Sequence, residues 1–233
     1  MRIILAVAAS MLLFSSCQKI CPMCSFPDKN QDNSCSTDLK KGLLAYYPFN
    51  GNFKDESGNG LDAVAYNGAS LGTSLHGHPN SAAAFDGQND YLMVNDNGKL
   101  STDSVTVSVW VLTNSLNRAH GILSRVNFDD TRGVTWGVGQ TLDLPNRWQF
   151  GVPESTLGCD DYFTYQADRY VNSTQAINKG QWYNVVASFA HGEQKIYIDG
   201  VLKATIYRDF QSLRKCTNNQ LVIGGWWKND LLP

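Results

Sequence analysis

Glutamate, and charge in general, is scarce in this chain of 233 residues. There are only three glutamates against 18 aspartates, and the four charged residue types make up 17% of the chain, below the roughly 25% of an average domain. The formal net charge of −2 excludes a binder that relies on clustered Lys and Arg to neutralise nucleic-acid phosphates. Because glutamate suits helix surfaces and aspartate suits turns and oxygen-ligand sites, the imbalance argues against a helical protein.

Proline is also rare, with seven residues, whereas aromatic residues reach 11% and glycine 20 residues. A chain this apolar and aromatic is not disordered. The combination of aromatics, Gly and Asn with few charges favours an all-β extracellular module.

The N-terminus has the pattern of a targeting segment. Arg2 precedes a predominantly apolar run over residues 3–14, which is too short to span a bilayer and has the length of a signal-peptide core. The following Ser-Ser-Cys17 resembles the bacterial lipoprotein box, in which the Cys is lipidated and becomes the new N-terminus; Phe14 departs from the aliphatic residue preferred there. We therefore predict that residues 1–16 are a signal peptide and that Cys17 anchors the chain in the cell envelope, at the outer membrane, on its periplasmic or surface face. Ordinary secretion with cleavage nearby is the alternative.

Five further cysteines follow, and in an oxidising envelope they tend to pair. Cys159 and Cys216 both lie in the globular part and are the predicted disulfide. Cys21 and Cys24 form a CxxC without a second CxxC or a His pair, so a local disulfide, or one to Cys35, is expected rather than a metal or redox site. One cysteine is left over. The polar, Cys-containing residues 17–40 are predicted to be a tether.

Residues 41–233 are predicted to form an antiparallel all-β domain, a two-sheet sandwich. The clearest strand is Ser104 to Leu112, where Val at every second position gives the period of two that marks a half-buried strand. Asp199-Gly200 between two alternating runs is a strong hairpin signal. Trp110, Trp148 and Trp182 are expected in the core. The predicted strands are 43–49, 104–112, 121–125, 133–138, 147–152, 182–189, 195–198, 201–206 and 221–224.

Four segments in this order resemble the laminin-G-like, concanavalin A-like lectin/glucanase jelly-roll domains of bacterial secreted proteins. They are GLLAYYPFNGN with DESGNG (residues 42–60), FDGQNDYL (85–92), VTVSVWV with GILSR (105–125), and QWYNVV with KIYIDGVL (181–202). The resemblance covers residues 42–227 and implies the jelly-roll fold. It does not imply one function, because domains of this fold include lectins, adhesion modules and glycanases.

Such domains usually end with a further strand that pairs beside the first one. That segment is not found before Pro233, so we expect a C-terminally truncated chain rather than a functional short form. The strand at 43–49 would then present an open edge.

Catalysis is not expected. Glycan hydrolysis needs two facing carboxylates about 5–10 Å apart, and the glycanases of this fold carry them on one strand as Glu-x-Asp-x-Glu or a close variant. No such run exists here, and Glu56, Glu154 and Glu193 fall in predicted turns and loops. A polysaccharide-active enzyme with unrecognised catalytic residues stays as an alternative.

Calcium is the candidate cofactor, as a structural ion, and no organic cofactor is indicated. Loops rich in Asp and Asn supply the oxygen ligands that calcium prefers, although the same residues also cap turns through Asx hydrogen bonds. The candidate ligands are Asn52, Asp55, Ser57, Asn59 and Asp86. In the pentraxin branch of the fold, a hairpin at a similar place binds calcium and ligand. That likeness suggests a second, weaker cluster, formed by Asn127, Asp129, Asp130 and Asp230.

Aromatic side chains at one end of the sandwich are the candidate ligand platform, because sugar C–H faces stack on rings. These are Trp226, Trp227 and Tyr162. The alternative for the adjacent tryptophans is that one of them belongs under a further C-terminal strand. The sequence thus predicts a lipid-anchored, non-catalytic carbohydrate-binding or adhesion module, whose partner is carbohydrate or a glycosylated protein and not nucleic acid. A structural module for protein interaction is a further alternative, and the oligomeric state is left open.

Overall fold

The computed structural model describes residues 40–116, 119–129, 132–141, 145–154, 158–160 and 169–226. Its regular elements are strands, and none of the described residues belongs to a helix long and apolar enough to cross a membrane. The strands are β1 (Val64–Tyr66), β2 (Ser70–Gly72), β3 (Ala82–Ala84), β4 (Tyr91–Val94), β5 (Val105–Leu112), β6 (His120–Val126), β7 (Trp136–Gln140), β8 (Arg147–Gly151), β9 (Tyr170–Ala176), β10 (Trp182–Ala190), β11 (Glu193–Ile198), β12 (Val201–Tyr207) and β13 (Gln220–Ile223).

Two antiparallel sheets enclose one core. The larger has seven strands in the order β1-β4-β13-β6-β7-β8-β9, the smaller has four in the order β12-β11-β10-β5, and β2 and β3 form a separate hairpin. Buried side chains from both main sheets belong to one apolar cluster. The predicted all-β jelly-roll sandwich is therefore confirmed.

The four-stranded sheet follows the alternation in the sequence. The valines of β5 point into the core, and their neighbours on the other face are half-buried. Trp148 lies in the core as expected, but that expectation is wrong for Trp110 and Trp182. They occupy the alternate, half-buried positions of β5 and β10, because the period of two places them on the face opposite the valines.

Two tight turns connect the strands of this sheet. His191 and Gly192 join β10 to β11, and Asp199 and Gly200 join β11 to β12, with positive φ at all four residues. Positive φ at both central positions is the geometry of a type I′ hairpin, in which glycine at the second position relieves the steric cost. The predicted Asp-Gly hairpin is therefore present.

The prediction of a strand at residues 43–49 is wrong. The segment is extended and buries Ala45, Tyr47 and Phe49 completely, but only its first residue forms a bridge. Loop side chains occupy part of its polar edge instead: the Tyr46 amide donates to Asp55, 2.9 Å away. The prediction also missed β1 to β4 and β9, and it began β7 three residues early, at 133 rather than Trp136.

A buried ion pair lies at one end of the seven-stranded sheet. Arg125 in β6 and Asp96 after β4 are both fully buried, and Arg125 Nε donates to Asp96 Oδ2 at 2.8 Å. The remaining guanidinium nitrogens donate to Thr135 Oγ1 and to the carbonyl of Cys216. Asp96 Oδ1 also accepts from the Gly98 amide. Every charged atom of the pair is thus within reach of a partner, which a buried charge requires.

We predict that Asp96→Asn lowers the free energy of unfolding by about 3 kcal/mol, because it leaves the Arg125 cation buried without its counter-charge. Asp103→Asn is the matched control, since Asp103 pairs with Lys215 on the exposed surface and such pairs contribute about 1 kcal/mol or less. Urea unfolding of the three proteins measures the difference. Equal losses of unfolding free energy in the two variants would contradict the prediction, because the buried Arg125–Asp96 pair would then contribute no more than the exposed pair.

Candidate functional site

The face of the seven-stranded sheet that points away from the core carries the candidate site, and we call it the outer face. Cross-strand pairing defines it: Gly137 pairs with Ser124, Ser124 with Val222, and Val222 with Met93. Their neighbours along the strands, such as Leu92 and Leu123, belong to the core. Because side chains alternate along a strand, the residues of this row share the outer face.

The indole ring of Trp226 lies directly on this face. A Cβ atom added to Gly137 would overlap the ring, and one added to Gly139 or Gly121 would approach it to 2.7 or 2.8 Å. Only residues without a side chain let the ring rest on the strands β6 and β7. Trp226 is half-buried, so the residue is not fully covered.

A buried hydroxyl fixes the segment that carries this ring. Ser124 Oγ lies 2.9 Å from the carbonyl oxygen of Gly225 and 3.1 Å from that of Trp226, and it donates to this pair of oxygens. Ser124 is fully buried in β6. The ring therefore sits on a segment tied to the sheet, which is the preorganisation that a binding surface needs.

A second ring lies beside it. A Cβ on Gly151 would stand 2.5 Å from the ring of Tyr170, and Gly151 is the cross-strand partner of Gly137. The rings of Tyr170 and Trp226 thus cover neighbouring glycines on adjacent strands. We call these two rings the aromatic floor, and Tyr170 is its more buried member, at 8% exposed.

Amide side chains border this floor. Gln149 in β8 pairs across the sheet with Gly139 on one side and Asn172 on the other. Gln149 is 5% exposed, and within the described chain its Oε1, like Oδ1 of Asn172, is buried without a hydrogen-bond partner. An unpaired buried acceptor costs free energy, so these two oxygens are suited to accept from a ligand. We call Trp226, Tyr170, Gln149 and Asn172 the Trp226 platform.

The same face carries a second aromatic group toward β1. The rings of Tyr66 and Tyr91 stack with centroids 4.8 Å apart and planes 4° from parallel, and Phe128 packs on Tyr91 at 4.6 Å. Met93 and Val222 belong to the apolar cluster around these rings. We call Tyr66, Tyr91 and Phe128 the tyrosine stack.

The first predicted calcium cluster forms a loop of hydrogen bonds around Asp55. Burial by itself would raise the pKa of Asp55. Hydrogen bonds from the amides of Ser57, Tyr46 and Leu61 and from the Ser57 hydroxyl outweigh it and hold the pKa below its ordinary value. Both carboxylate oxygens therefore already accept hydrogen bonds from backbone amides, as in an Asx turn.

The other members of that cluster also make hydrogen bonds to nearby backbone groups. Asn59 turns its amide nitrogen toward the carbonyls of Leu43 and Leu44. Asn52 accepts from Lys54, and Asp86 accepts from the amides of its own turn. Among the described residues, no three His, Cys, Asp or Glu side chains stand together as metal ligands. Calcium at this loop stays a prediction.

The remaining predicted residues lie in three places. The structure joins Cys159 to Cys216 in a disulfide with Cα atoms 5.6 Å apart. Asn127 and Asp129 follow β6, and Asp129 is close enough to Tyr91 to affect its titration. The predicted residues Cys17, Cys21, Cys24, Cys35, Asp130, Tyr162, Trp227 and Asp230 lie outside the described residues.

Sequence reasoning missed every residue of the Trp226 platform except Trp226, and it missed the whole tyrosine stack. Gln149 follows Trp148 in a strand that was predicted, so its alternation with two core aromatics could have placed it on the outer face. Tyr66 and Tyr91 lie in strands of three and four residues, which are too short to show a period.

A comparison with protein families matches residues 86–231, more than half of the chain, to the Concanavalin A-like lectin/glucanases superfamily. Among solved structures, the chain is similar to domain 4 of AbnA, an extracellular arabinanase from Geobacillus stearothermophilus, in complex with arabinotriose. That similarity has a TM-score of 0.55 at 21% identity and covers 79% of this chain and 84% of that one. A search of the curated proteins found no match.

Two botulinum neurotoxin structures are also similar. Neurotoxin type C, which interacts with two ganglioside molecules, gives a TM-score of 0.51 at 16% identity over 78% of this chain and 42% of the toxin chain. The serotype D binding domain gives 0.51 at 18% identity over 73% and 40%. This chain thus spans about two fifths of the toxin chains' length. At such identities the likeness shows the fold alone.

We predict that Asp55→Asn lowers the free energy of unfolding by about 1 kcal/mol at pH 7, since the neutral amide accepts these hydrogen bonds less strongly and Asp55 is partly solvated. Because the pKa is depressed in the folded state, this contribution is present above the unfolded pKa. It disappears as the pH falls through the folded pKa. Urea unfolding at several pH values should show the two curves converging in acid.

Asp62→Asn is the control for this prediction. Asp62 is exposed and accepts one amide bond, from Asp55, which an Asn oxygen can keep. A gap between wild type and Asp55→Asn that does not narrow in acid would contradict the prediction.

Proposed function

Because the chain belongs to the Concanavalin A-like lectin/glucanases superfamily, we propose that it is a non-catalytic module that binds carbohydrate, or the glycans of a partner protein, on the Trp226 platform. The half-buried Trp226, with its ring on the glycines of β6 and β7 beside the unpaired oxygen of Gln149, carries this proposal. Sugars offer apolar C–H faces that stack on rings and hydroxyls that donate to amide oxygens. The platform supplies both groups side by side.

The similar structures support a glycan as the ligand. The arabinanase domain is in complex with arabinotriose, and neurotoxin type C interacts with gangliosides. These ligands belong to those proteins, and they suggest the class of compound to test rather than its identity.

The surroundings of the glutamates support binding without hydrolysis. Glu154 lies 3.7 Å from Arg169, and Glu193 pairs with Lys195 on its own strand. Glu56 is exposed on the loop near Tyr46. Glu154 and Glu193 thus face a cation rather than the second carboxylate that glycoside hydrolysis requires.

We predict that Trp226→Ala abolishes or weakens glycan binding at least tenfold, because ring stacking contributes about 1.5 kcal/mol. A glycan array with neutral and sialylated oligosaccharides measures binding, once with calcium and once with a chelator. The matched control is Trp110→Ala, which removes another half-buried ring from the opposite sheet and should leave binding intact.

Three results would contradict the proposal. These are an array without any binding by the wild-type protein, equal losses in the two Trp variants, and release of reducing sugar from mixed polysaccharides. The last would favour an enzyme. Binding that disappears with the chelator would support the predicted calcium.

We further propose that the module is held at the cell envelope through a lipid on Cys17. The apolar run before Ser-Ser-Cys17 supports this, since a signal-peptide core followed by such a box directs lipidation. A single chain gives weak membrane binding, so stable anchoring needs more than one acyl chain.

We expect Cys17→Ala to move the protein from the detergent phase to the aqueous phase in a detergent-partition assay of cells that express the full chain. Cys21→Ala is the matched control and should remain in the detergent phase. Detergent partition of the Cys17→Ala protein equal to that of wild type would contradict the anchor.

A further inference from the structure

We propose that the outer face binds an extended glycan chain, with the Trp226 platform holding one part of the chain and the tyrosine stack holding another. This inference rests on the proposed function and deepens it. It replaces a single-sugar ligand with a linear oligosaccharide that runs across the strands.

The two aromatic groups share one face. Met93, which packs beside the tyrosine stack, belongs to the same cross-strand row as Gly137 under the ring of Trp226. Tyr91 is two residues before Met93 and pairs with Tyr66. Their side chains therefore project to the same side of the sheet as Trp226.

The stack is fixed in place rather than loosely exposed. Phe128 is 6% exposed and packs against Tyr91, which in turn stacks on Tyr66. Tyr66 and Tyr91 themselves are half-buried. A ring held by a neighbouring ring loses little conformational entropy when a ligand stacks on it.

Polar groups accompany these rings. Burial raises the pKa of Tyr91, and the charges of Tyr66 and Asp129 add to the increase, so the Tyr91 phenol keeps its proton. Asp129 is exposed. A phenol that donates and a carboxylate that accepts are suited to the hydroxyls of a sugar.

The separation of the two groups sets the size of the ligand. Tyr66 and Tyr91 lie on β1 and β4, Trp226 lies over β6 and β7, and β13 runs between them. With neighbouring strands about 4.8 Å apart, two to three strand spacings separate the groups by about 10–15 Å. One sugar ring cannot contact both, whereas a chain of several units can.

The test measures affinity against chain length by calorimetry, with arabino-, xylo- and cello-oligosaccharides of two to six units. We expect the wild-type protein to bind the longest member of the preferred series about tenfold more tightly than the shortest, as a second stacking contact would give. Tyr66→Ala should remove this gain and leave the shortest ligand unaffected. Trp226→Ala should weaken every length.

Two further variants exclude a purely structural effect. Tyr66→Phe keeps the ring and should retain most of the gain, and Tyr207→Ala removes an exposed ring from β12 of the other sheet and should retain all of it. Urea unfolding of Tyr66→Ala checks that the protein is folded.

The outcomes separate the two proposals. Affinity that does not depend on length, or a Tyr66→Ala variant that behaves like Tyr207→Ala, overturns the extended site and leaves the Trp226 platform standing. A protein that binds none of the three series at any length and gives no signal on the glycan array overturns the proposed function together with this inference.

Discussion

The guanidinium of Arg125 is a buried cation that must be neutralised inside the protein, and three separate segments meet around it. Asp96 follows β4, Thr135 precedes β7, and the carbonyl of Cys216 precedes β13. Arg125 itself lies on β6, so one side chain ties together four strands that are neighbours in the sheet. Tyr91 of the tyrosine stack lies on β4 and the ring of Trp226 rests on β6 and β7, so the spacing of the two aromatic groups depends on the register that this contact helps to fix.

The sequence was sufficient where a long strand shows its period. The valines of β5 and the hairpins from β10 to β12 were predicted closely, because alternation and Asp-Gly turns are local signals. The same alternation places Trp110 on the face opposite the valines, whereas its hydrophobicity alone had assigned it to the core. The extended segment at 43–49 has a strand-like pattern, yet the side chains of Asp55, Ser57 and Asn59 take the place of a neighbouring strand along part of its edge.

The candidate site was harder to predict because it is made by contacts between distant residues. Trp226 was recognised as a platform, but its place on the sheet depends on Gly121, Gly137 and Gly139, which lie some 90 to 100 residues earlier in the chain. A glycine in a strand signals close approach without naming its partner. An aspartate in a loop is ambiguous in another way, because its oxygens can bind calcium or accept hydrogen bonds from the backbone. Those of Asp55 accept from backbone amides.

The disulfide has a consequence for how the protein withstands proteolysis. Cys159 and Cys216 are 57 residues apart in sequence, and the covalent ring they close contains β9 and the whole run from β10 to β12. A protease that cuts one exposed turn in this ring, such as Asp199-Gly200, leaves both new ends attached to the same molecule. The four-stranded sheet can therefore be nicked between β11 and β12 without releasing a fragment.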